Sequence, residues 1–327
     1  MPSFSPVLYP PFNILRTSYV ELAVSNLEAS RKFYVDVLGL VVSHECETGR
    51  LYLRAMEERA HHSLCLRQGR QNHCSAIGFR VYDETDLPKV HEFFASRGLP
   101  ASIVERKHMG EVVRAADPWG VPLEFYASMK LLPSIHQKYR LYSGVKPLRI
   151  DHVNLFSADV DAMAEFYNSL GFRLTEFTED AASGRMWAAW MHRKGTVHDI
   201  AFTNGVGPRL HHFAYWVMSP MSIIDLLDLM STSGYLANIE RGPGRHGISN
   251  AFFLYVRDPD NHRIEFYCSD YQTIDPDHEP IGWDLHDPTR QTLWGAPAPR
   301  TWFEEGTHFG DVEPQEPVVA GTPIVAP

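Results

Sequence analysis

The chain repeats itself, and the repeat limits what it can fold into. "RTSYVELAVSNLEASRKFY" begins at Arg16 and "RIDHVNLFSADVDAMAEFY" at Arg149. Each reads as an alternating strand, a polar turn and a helix ending near Phe-Tyr. A Leu-Gly pair follows each, Leu38-Gly39 and Leu170-Gly171, with a glycine suited to a helix C-cap. The halves also end alike: "RAADPWGVPLEFY" closes the first at Tyr126 and "YVRDPDNHRIEFY" the second at Tyr267. Both read strand, Asp-Pro turn, strand, which is a hairpin. Between start and end, each half carries another strand-like run and a second helix, near "TDLPKVHEFFASRG" and near "PMSIIDLLDLMSTSG". Strand-helix-strands units repeated in this way predict an α+β protein of two similar domains.

At 327 residues the chain is long enough for both. The expected divisions are an N-terminal segment 1–15, a first domain 16–130, a linker 131–147, a second domain 148–270 and a tail 271–327. The tail is rich in Pro, His, Trp and acidic residues and has no clear periodicity. Two tryptophans in "WDLHDPTRQTLWG" imply that this part packs on something. The last residues, "PVVAGTPIVAP", are expected to be loose.

A formal net charge of −10 argues against nucleic-acid or anionic-membrane partners. No apolar run is long enough to cross a bilayer, and "MPSFSPVLYPPFNILR" lacks the basic start and apolar core of a signal peptide. Cys46, Cys65, Cys74 and Cys268 form no CxxC pair. They are expected to be reduced thiols in a cytoplasmic protein.

The chemistry concentrates in the second half. Alternation puts Ile150, His152 and Asn154 on one strand face, His212, Ala214 and Trp216 on another, and Glu265 with Tyr267 on a third. His211 points away from the face of His212. Each of three strands thus offers one metal-capable residue: His152, His212 and Glu265. Two neutral imidazoles and one carboxylate make the facial triad of non-haem Fe(II) oxygenases, which leaves three positions open. A charged Glu inside a sheet is costly unless it is paired or bound to a cation. The first half serves as a control. It has Tyr19 at the place of His152 and Ala76 at that of His212, but keeps Glu124 at that of Glu265. A scaffold requirement would put the histidines in both halves. The retained Glu124 shows that Glu alone proves little.

Taken together, "RIDHVN", "AAWMHRKGTVHDIAF", "GPRLHHFAY" and "DPDNHRIEFY" resemble the vicinal-oxygen-chelate fold group. Within it they are most similar to the type I extradiol catechol dioxygenases of the homoprotocatechuate (3,4-dihydroxyphenylacetate) 2,3-dioxygenase kind. The resemblance spans roughly residues 15 to 300. It implies paired βαβββ modules in two barrel-like domains, with a metal only in the second and the tail as a lid. It implies Fe(II), with Mn(II) in some members, a homo-oligomer (a tetramer), and catechol and O₂ as reactants. By the same resemblance His198 is an acid–base residue, Tyr255 bonds a substrate oxygen and His246 lines the oxygen side. Arg241 and Arg290 would meet a substrate carboxylate, and Asn154 and Trp190 would line the pocket. Relatives tend to carry two arginines where this chain has Arg290-Gln291, which leaves other ring substituents open. A metal-dependent lyase or thiol transferase on the same fold would commonly build one site from both halves. Tyr19 and Ala76 make the first half a poor donor for such a site. A binding protein without activity would not need His198, Tyr255 and His246 beside a triad.

Overall fold

The structure, a computed structural model, describes residues 4–46 and 48–320. The first half forms β1 (Ile14–Val24), α1 (Leu27–Arg31), β2 (Val41–Cys46), β3 (Arg50–Arg54) and β4 (Leu64–Gln68). It continues with β5 (His73–Val81), α2 (Asp86–Ala95), β6 (Ala101–Arg106), β7 (Gly110–Ala116) and β8 (Pro122–Tyr126). The second half repeats this with β9 (Arg149–Ser157), α3 (Val160–Ser169), β10 (Arg173–Asp180), β11 (Arg185–His192) and β12 (Ile200–Asn204). Then come β13 (Arg209–Trp216), α4 (Pro220–Thr232), β14 (Ile239–Arg245), β15 (Phe252–Arg257) and β16 (Arg263–Cys268). Each half is therefore two βαβββ units.

The first sheet runs β2-β3-β4-β1-β5-β8-β7-β6. The tail adds β17 (Ile281–Asp284), α5 (Pro288–Gln291), β18 (Trp294–Gly295) and α6 (Thr301–Glu304). Its two strands close the edges of the second sheet, which runs β17-β10-β11-β12-β9-β13-β16-β15-β14-β18. The first strands of the two units in each half, β1 with β5 and β9 with β13, lie antiparallel at its centre.

Helical backbone runs on past Phe-Tyr in both halves. Asn26 and Asp159 cap the starts of α1 and α3 through side-chain oxygens that accept from Ala29 N and Ala162 N. After α1 the chain continues in a wider-turned helix, Lys32–Val37. Gly39 and Gly171 then take positive φ angles of 84° and 93°, the left-handed turn that glycine makes without a Cβ clash. Val20, Leu22, Val153 and Leu155 join the helices in one large apolar core. Opposite faces of the same strands turn Tyr19, Glu21, His152 and Asn154 into the concave side of each sheet, where they too are buried. A concave face lined with buried polar groups is where each half either satisfies charge internally or binds something.

The repeated Phe-Tyr and Asp-Pro signatures meet across the halves. Tyr34 Oη donates to Asp258 Oδ2 at 2.8 Å, and Tyr167 Oη donates to Asp117 Oδ2 at 3.2 Å. Each helix tyrosine thus bonds the Asp-Pro turn of the other half.

The tail is more ordered than its sequence implies. Trp283 Nε1 donates to Glu176 at 2.6 Å, as a packed tryptophan should, whereas Trp294 is 49% exposed. Of the end expected to be loose, the backbone at Val318 and Val319 is tied down. Val318 N donates to Ala158 O, and Val319 is buried with Trp187, Ala188 and Leu285. An apolar side chain that finds such a slot overrides terminal fraying. Residues 321–327 lie outside the described residues. Among the described residues no helix is long and apolar enough to cross a membrane.

Candidate metal centre

Adjacent strands β9, β13 and β16 carry His152, His212 and Glu265 to one point. His152 Nε2 lies 3.3 Å from His212 Nε2 and 2.9 Å from Glu265 Oε2, and His212 Nε2 lies 3.2 Å from that same oxygen. All three residues are buried. Among the described residues they are the one group of at least three His, Cys, Asp or Glu whose ligand atoms converge, all within 4.8 Å.

The electrostatics favour an anion waiting for a cation. Burial by itself would push the Glu265 carboxyl up, but the His152 and His212 rings beside it hold it well below its usual range. Burial pushes His212 down to about 4, so that ring is neutral at pH 7. Burial also opposes charge on His152, but hydrogen bonds to Asp151 and Glu265 outweigh it and raise that ring. Among the described residues the groups within ion-pair distance of Glu265 are histidines alone, with no Lys or Arg: His152, His212 and, at 3.9 Å, His246.

Glu124 in the first half is held differently. Tyr19 Oη donates to it, Arg114 Nε sits at 2.7 Å and Arg106 Nη2 at 3.5 Å. Sheet register confirms the equivalence. Gly78 pairs with Glu124 where Ala214 pairs with Glu265, so Ala76 stands in the place of His212. Two guanidiniums and a phenol thus supply what the second half lacks. Two imidazoles and one carboxylate with no fixed cation fit a divalent first-row ion such as Fe(II) or Mn(II).

The second layer fixes the rings. His152 Nδ1 donates to Asp151 Oδ2 at 3.1 Å, and Tyr267 Oη donates to the same oxygen. Lys194 Nζ sits 3.6 Å from Asp151 Oδ1. His212 Nδ1 lies 2.6 Å from His211 Nδ1. Strict alternation points His211 away, but the β9–β13 register slips between Leu210 and His212 and lets the two rings meet.

A cavity opens over the triad, walled by Asn154, Trp190, His198, His246, Tyr255 and Arg290 among others. The His198 ring lies 3.8 Å from that of His152, and among the described residues its Nδ1 has no hydrogen-bond partner. Burial keeps it well below its usual pKa. His246 Nδ1 donates to Gln291 O, which leaves Nε2 to accept from Tyr255 Oη at 3.0 Å. Asn154 Oδ1 accepts from Thr203 Oγ1 at 3.1 Å, so its amide N–H groups remain for a ligand.

The tail supplies Arg290, Gln291 and Trp302 to the wall. Arg290 is buried, donates to Leu285 O at 3.1 Å and lies over Trp187. Arg241 is not in the lining of this cavity but packs beside Tyr255, with Nε and Nη1 buried and unpartnered among the described residues. Its guanidinium lies against Phe253, Tyr255 and Trp302, and Nη2 donates to Gln291 O and Thr292 Oγ1. Among the described residues neither arginine has a carboxylate within ion-pair distance, and burial brings each down to about 10. Sequence reasoning missed Thr203, Trp187 and Trp302 as wall residues and Asp151 as a support. Asp151 adjoins a proposed ligand, which was an available signal. Trp302 had none, because its tail has no period.

Comparisons with known proteins place this geometry among relatives. The chain matches the Glyoxalase/Bleomycin resistance protein/Dioxygenase superfamily over residues 16–125 and 149–266. It is 32% identical over 301 residues to a manganese-dependent 2,3-dihydroxybiphenyl 1,2-dioxygenase of Geobacillus genomosp. 3, covering 87% of this chain and 94% of that protein. It is similar to the anaerobic substrate complex of homoprotocatechuate 2,3-dioxygenase from Brevibacterium fuscum with 3,4-dihydroxyphenylacetate. That likeness has 43% identity and a TM-score of 0.90, over 95% of this chain and 99% of that one. Homoprotocatechuate 2,3-dioxygenase from Arthrobacter globiformis matches at 41% identity and TM-score 0.90, over 97% and 100% of the two chains.

Proposed function

The chain belongs to the Glyoxalase/Bleomycin resistance protein/Dioxygenase superfamily, and from that premise we propose that it is an extradiol dioxygenase. It opens a catechol ring beside the diol with both atoms of O₂. The substrate that fits best is 3,4-dihydroxyphenylacetate, giving 5-carboxymethyl-2-hydroxymuconate semialdehyde. The carrying observation is the buried triad His152, His212 and Glu265, whose carboxylate, among the described residues, faces histidines and no Lys or Arg. Fe(II), or Mn(II) in its place, would give both catechol oxygens and O₂ a single meeting point and make the catechol more acidic.

The chain's own residues do the rest. Asn154 and Tyr255 orient the ring, the first by donating N–H and the second by its oxygen, which stays open to accept. His198 is a neutral imidazole with an uncommitted nitrogen beside the site, suited to taking and returning a catechol proton. His246 holds Tyr255 in place. Trp190 and Trp187 exclude water. Among the described residues Arg290 is a buried cation with no carboxylate within ion-pair distance, so a carboxylate on the substrate would relieve it, and the planar fork suits two parallel bonds. Arg241 acts through Tyr255 and the 291–292 backbone. Gln291 in the same wall carries no charge, which leaves catechols with smaller or neutral substituents as the alternative substrates.

The division into segment 1–15, domain 16–130, linker 131–147, domain 148–270 and tail 271–327 belongs to this reading. So do a cytoplasmic setting, supported by four unpaired cysteines, and assembly as a homo-oligomer.

The test is to purify the protein without oxygen, load Fe(II), and mix it with 3,4-dihydroxyphenylacetate in air. A yellow product should appear with oxygen uptake. Absence of product and uptake across a panel of substituted catechols would end this reading.

A further inference from the structure

We propose that the C-terminal segment retains the metal, acting through His211 as a positioning residue for ligand His212. The inference rests on the triad being a metal centre and does not depend on which substrate is cleaved.

The argument is one of hydrogen positions. His211 Nε2 lies 2.9 Å from the carbonyl oxygen of Trp302 in α6. A carbonyl can only accept, so Nε2 carries the hydrogen. His211 is buried and its other ring partner is an imidazole; among the described residues no carboxylate bonds it to support a second proton, so its Nδ1 is a lone pair. That lone pair meets His212 Nδ1 at 2.6 Å, which must therefore be N–H. A ring that binds a cation must offer it a lone pair, and with its hydrogen on Nδ1 His212 offers that lone pair on Nε2. This is the nitrogen that faces His152 Nε2 and Glu265 Oε2. A tail carbonyl thus fixes, through two bonds, which nitrogen of a ligand is free to bind.

His152 is fixed by Asp151, an anion on its own strand. His212 depends on a carbonyl about ninety residues away in the chain. That carbonyl is gripped from the sheet. Arg263, fully buried on β16 two residues before Glu265, donates from Nη1 to His211 O at 2.9 Å and to Glu305 O at 3.0 Å. From Nη2 it donates to Thr301 O at 3.1 Å. Glu240 neutralises it at 2.6 Å. One guanidinium therefore holds the carbonyls on both sides of Trp302 together with the backbone of His211. The tail does more than cover the cavity: moving α6 away removes the acceptor that sets the His212 tautomer. Outer partners of ligating histidines typically change metal affinity by about 10–100-fold.

Mn(II) is the probe, titrated into the metal-free full-length protein and followed by the EPR signal of the free ion. His211→Leu keeps the volume but can neither donate nor accept, and should bind Mn(II) about 10–100-fold more weakly. His211→Gln can donate its amide to Trp302 O and accept from His212, and should recover most of the loss. A purely structural role would not make that distinction. Wild-type affinity in a folded His211→Leu protein would overturn the proposal. If that variant does not fold, hydrogen exchange on the wild type decides. By reciprocity, whatever α6 does for the metal the metal does for α6, so Mn(II) should slow exchange at the amides of Trp302, Phe303 and Glu305. Equal exchange with and without Mn(II) would also overturn it. A wild-type protein that binds no Mn(II) or Fe(II) would instead fault the metal reading itself.

Discussion

Arg106→Met tests the idea that the first half holds its inner carboxylates with fixed cations where the second half awaits a metal. Arg106 Nη2 lies 2.5 Å from Glu21 Oε2 and 3.5 Å from Glu124 Oε2. Both carboxylates are 3% exposed. At an effective dielectric of 20 the two attractions come to about 7 and about 5 kcal/mol before desolvation is subtracted. Breaking a buried pair by removing one partner costs about 3–5 kcal/mol. Glu21 keeps Arg50 at 3.1 Å and Arg67 at 3.8 Å, and Glu124 keeps Arg114 and Tyr19. The expected loss is therefore near the lower bound, about 3 kcal/mol at pH 7.

The sign of its pH dependence follows from the same contacts. Burial pushes Glu21 up, and Arg106, Arg50 and their hydrogen bonds bring it below its usual value. Its contribution is therefore present above the unfolded carboxyl pKa and lost as pH falls through the folded one. Without Arg106 burial weighs more, and the folded pKa rises. The gap between wild type and variant should be widest near pH 7 to 8 and narrow towards pH 4 to 5, as Glu21 becomes able to take a proton. Urea unfolding followed by circular dichroism at three pH values measures it. Arg106→Met/Glu21→Gln should recover more than half of the loss, and Mn(II) affinity should not change in either variant. A gap below about 1 kcal/mol, the range of exposed pairs, or one that widens on acidification, would refute the argument.

Four further outcomes are expected. Burial raises Asp117 to about 7 against the hydrogen bonds of Val121, Trp119 and Tyr167; the native state then binds more protons than the unfolded one, and stability should fall as pH rises from about 4 to 7. Asp117→Asn should flatten that slope in urea midpoints, and an unaltered slope would count against it. Gly78→Ala should destabilise by about 1–3 kcal/mol, because the new Cβ would meet the Tyr19 ring at 2.0 Å; a wild-type melting curve would show that Tyr19 has room to move. His198→Gln should keep Mn(II) affinity and lower kcat by about 10²–10⁴-fold, the usual span of a proton-transfer residue, and an unchanged rate would remove it from the reaction. His212→Ala should lose Mn(II) in the same EPR titration.

The sequence by itself carried most of the fold and the heart of the site, for identifiable reasons. A period of two assigns strand faces, so His152, His212 and Glu265 could be placed on inward faces before any strand was paired. Comparison of the halves separated scaffold from site, since Tyr19 and Ala76 replace the imidazoles. The Leu-Gly pairs marked where the first helices end, with Gly39 and Gly171 as the glycines after them. Partners distant in sequence were not legible in the same way. No local pattern says that Arg106 and Arg114 converge on Glu124, or that Tyr34 and Tyr167 each cross to the other half. Nor does one show that the Arg241 guanidinium packs against Phe253, Tyr255 and Trp302. His211 was misplaced by alternation because a register slip in β13 lies in the pairing with β9. The aperiodic tail gave no hint that Trp302 O completes a ligand's hydrogen bonds. Periodicity is a property of the chain, whereas charge compensation and ring tautomers are settled by what lies across the space between strands.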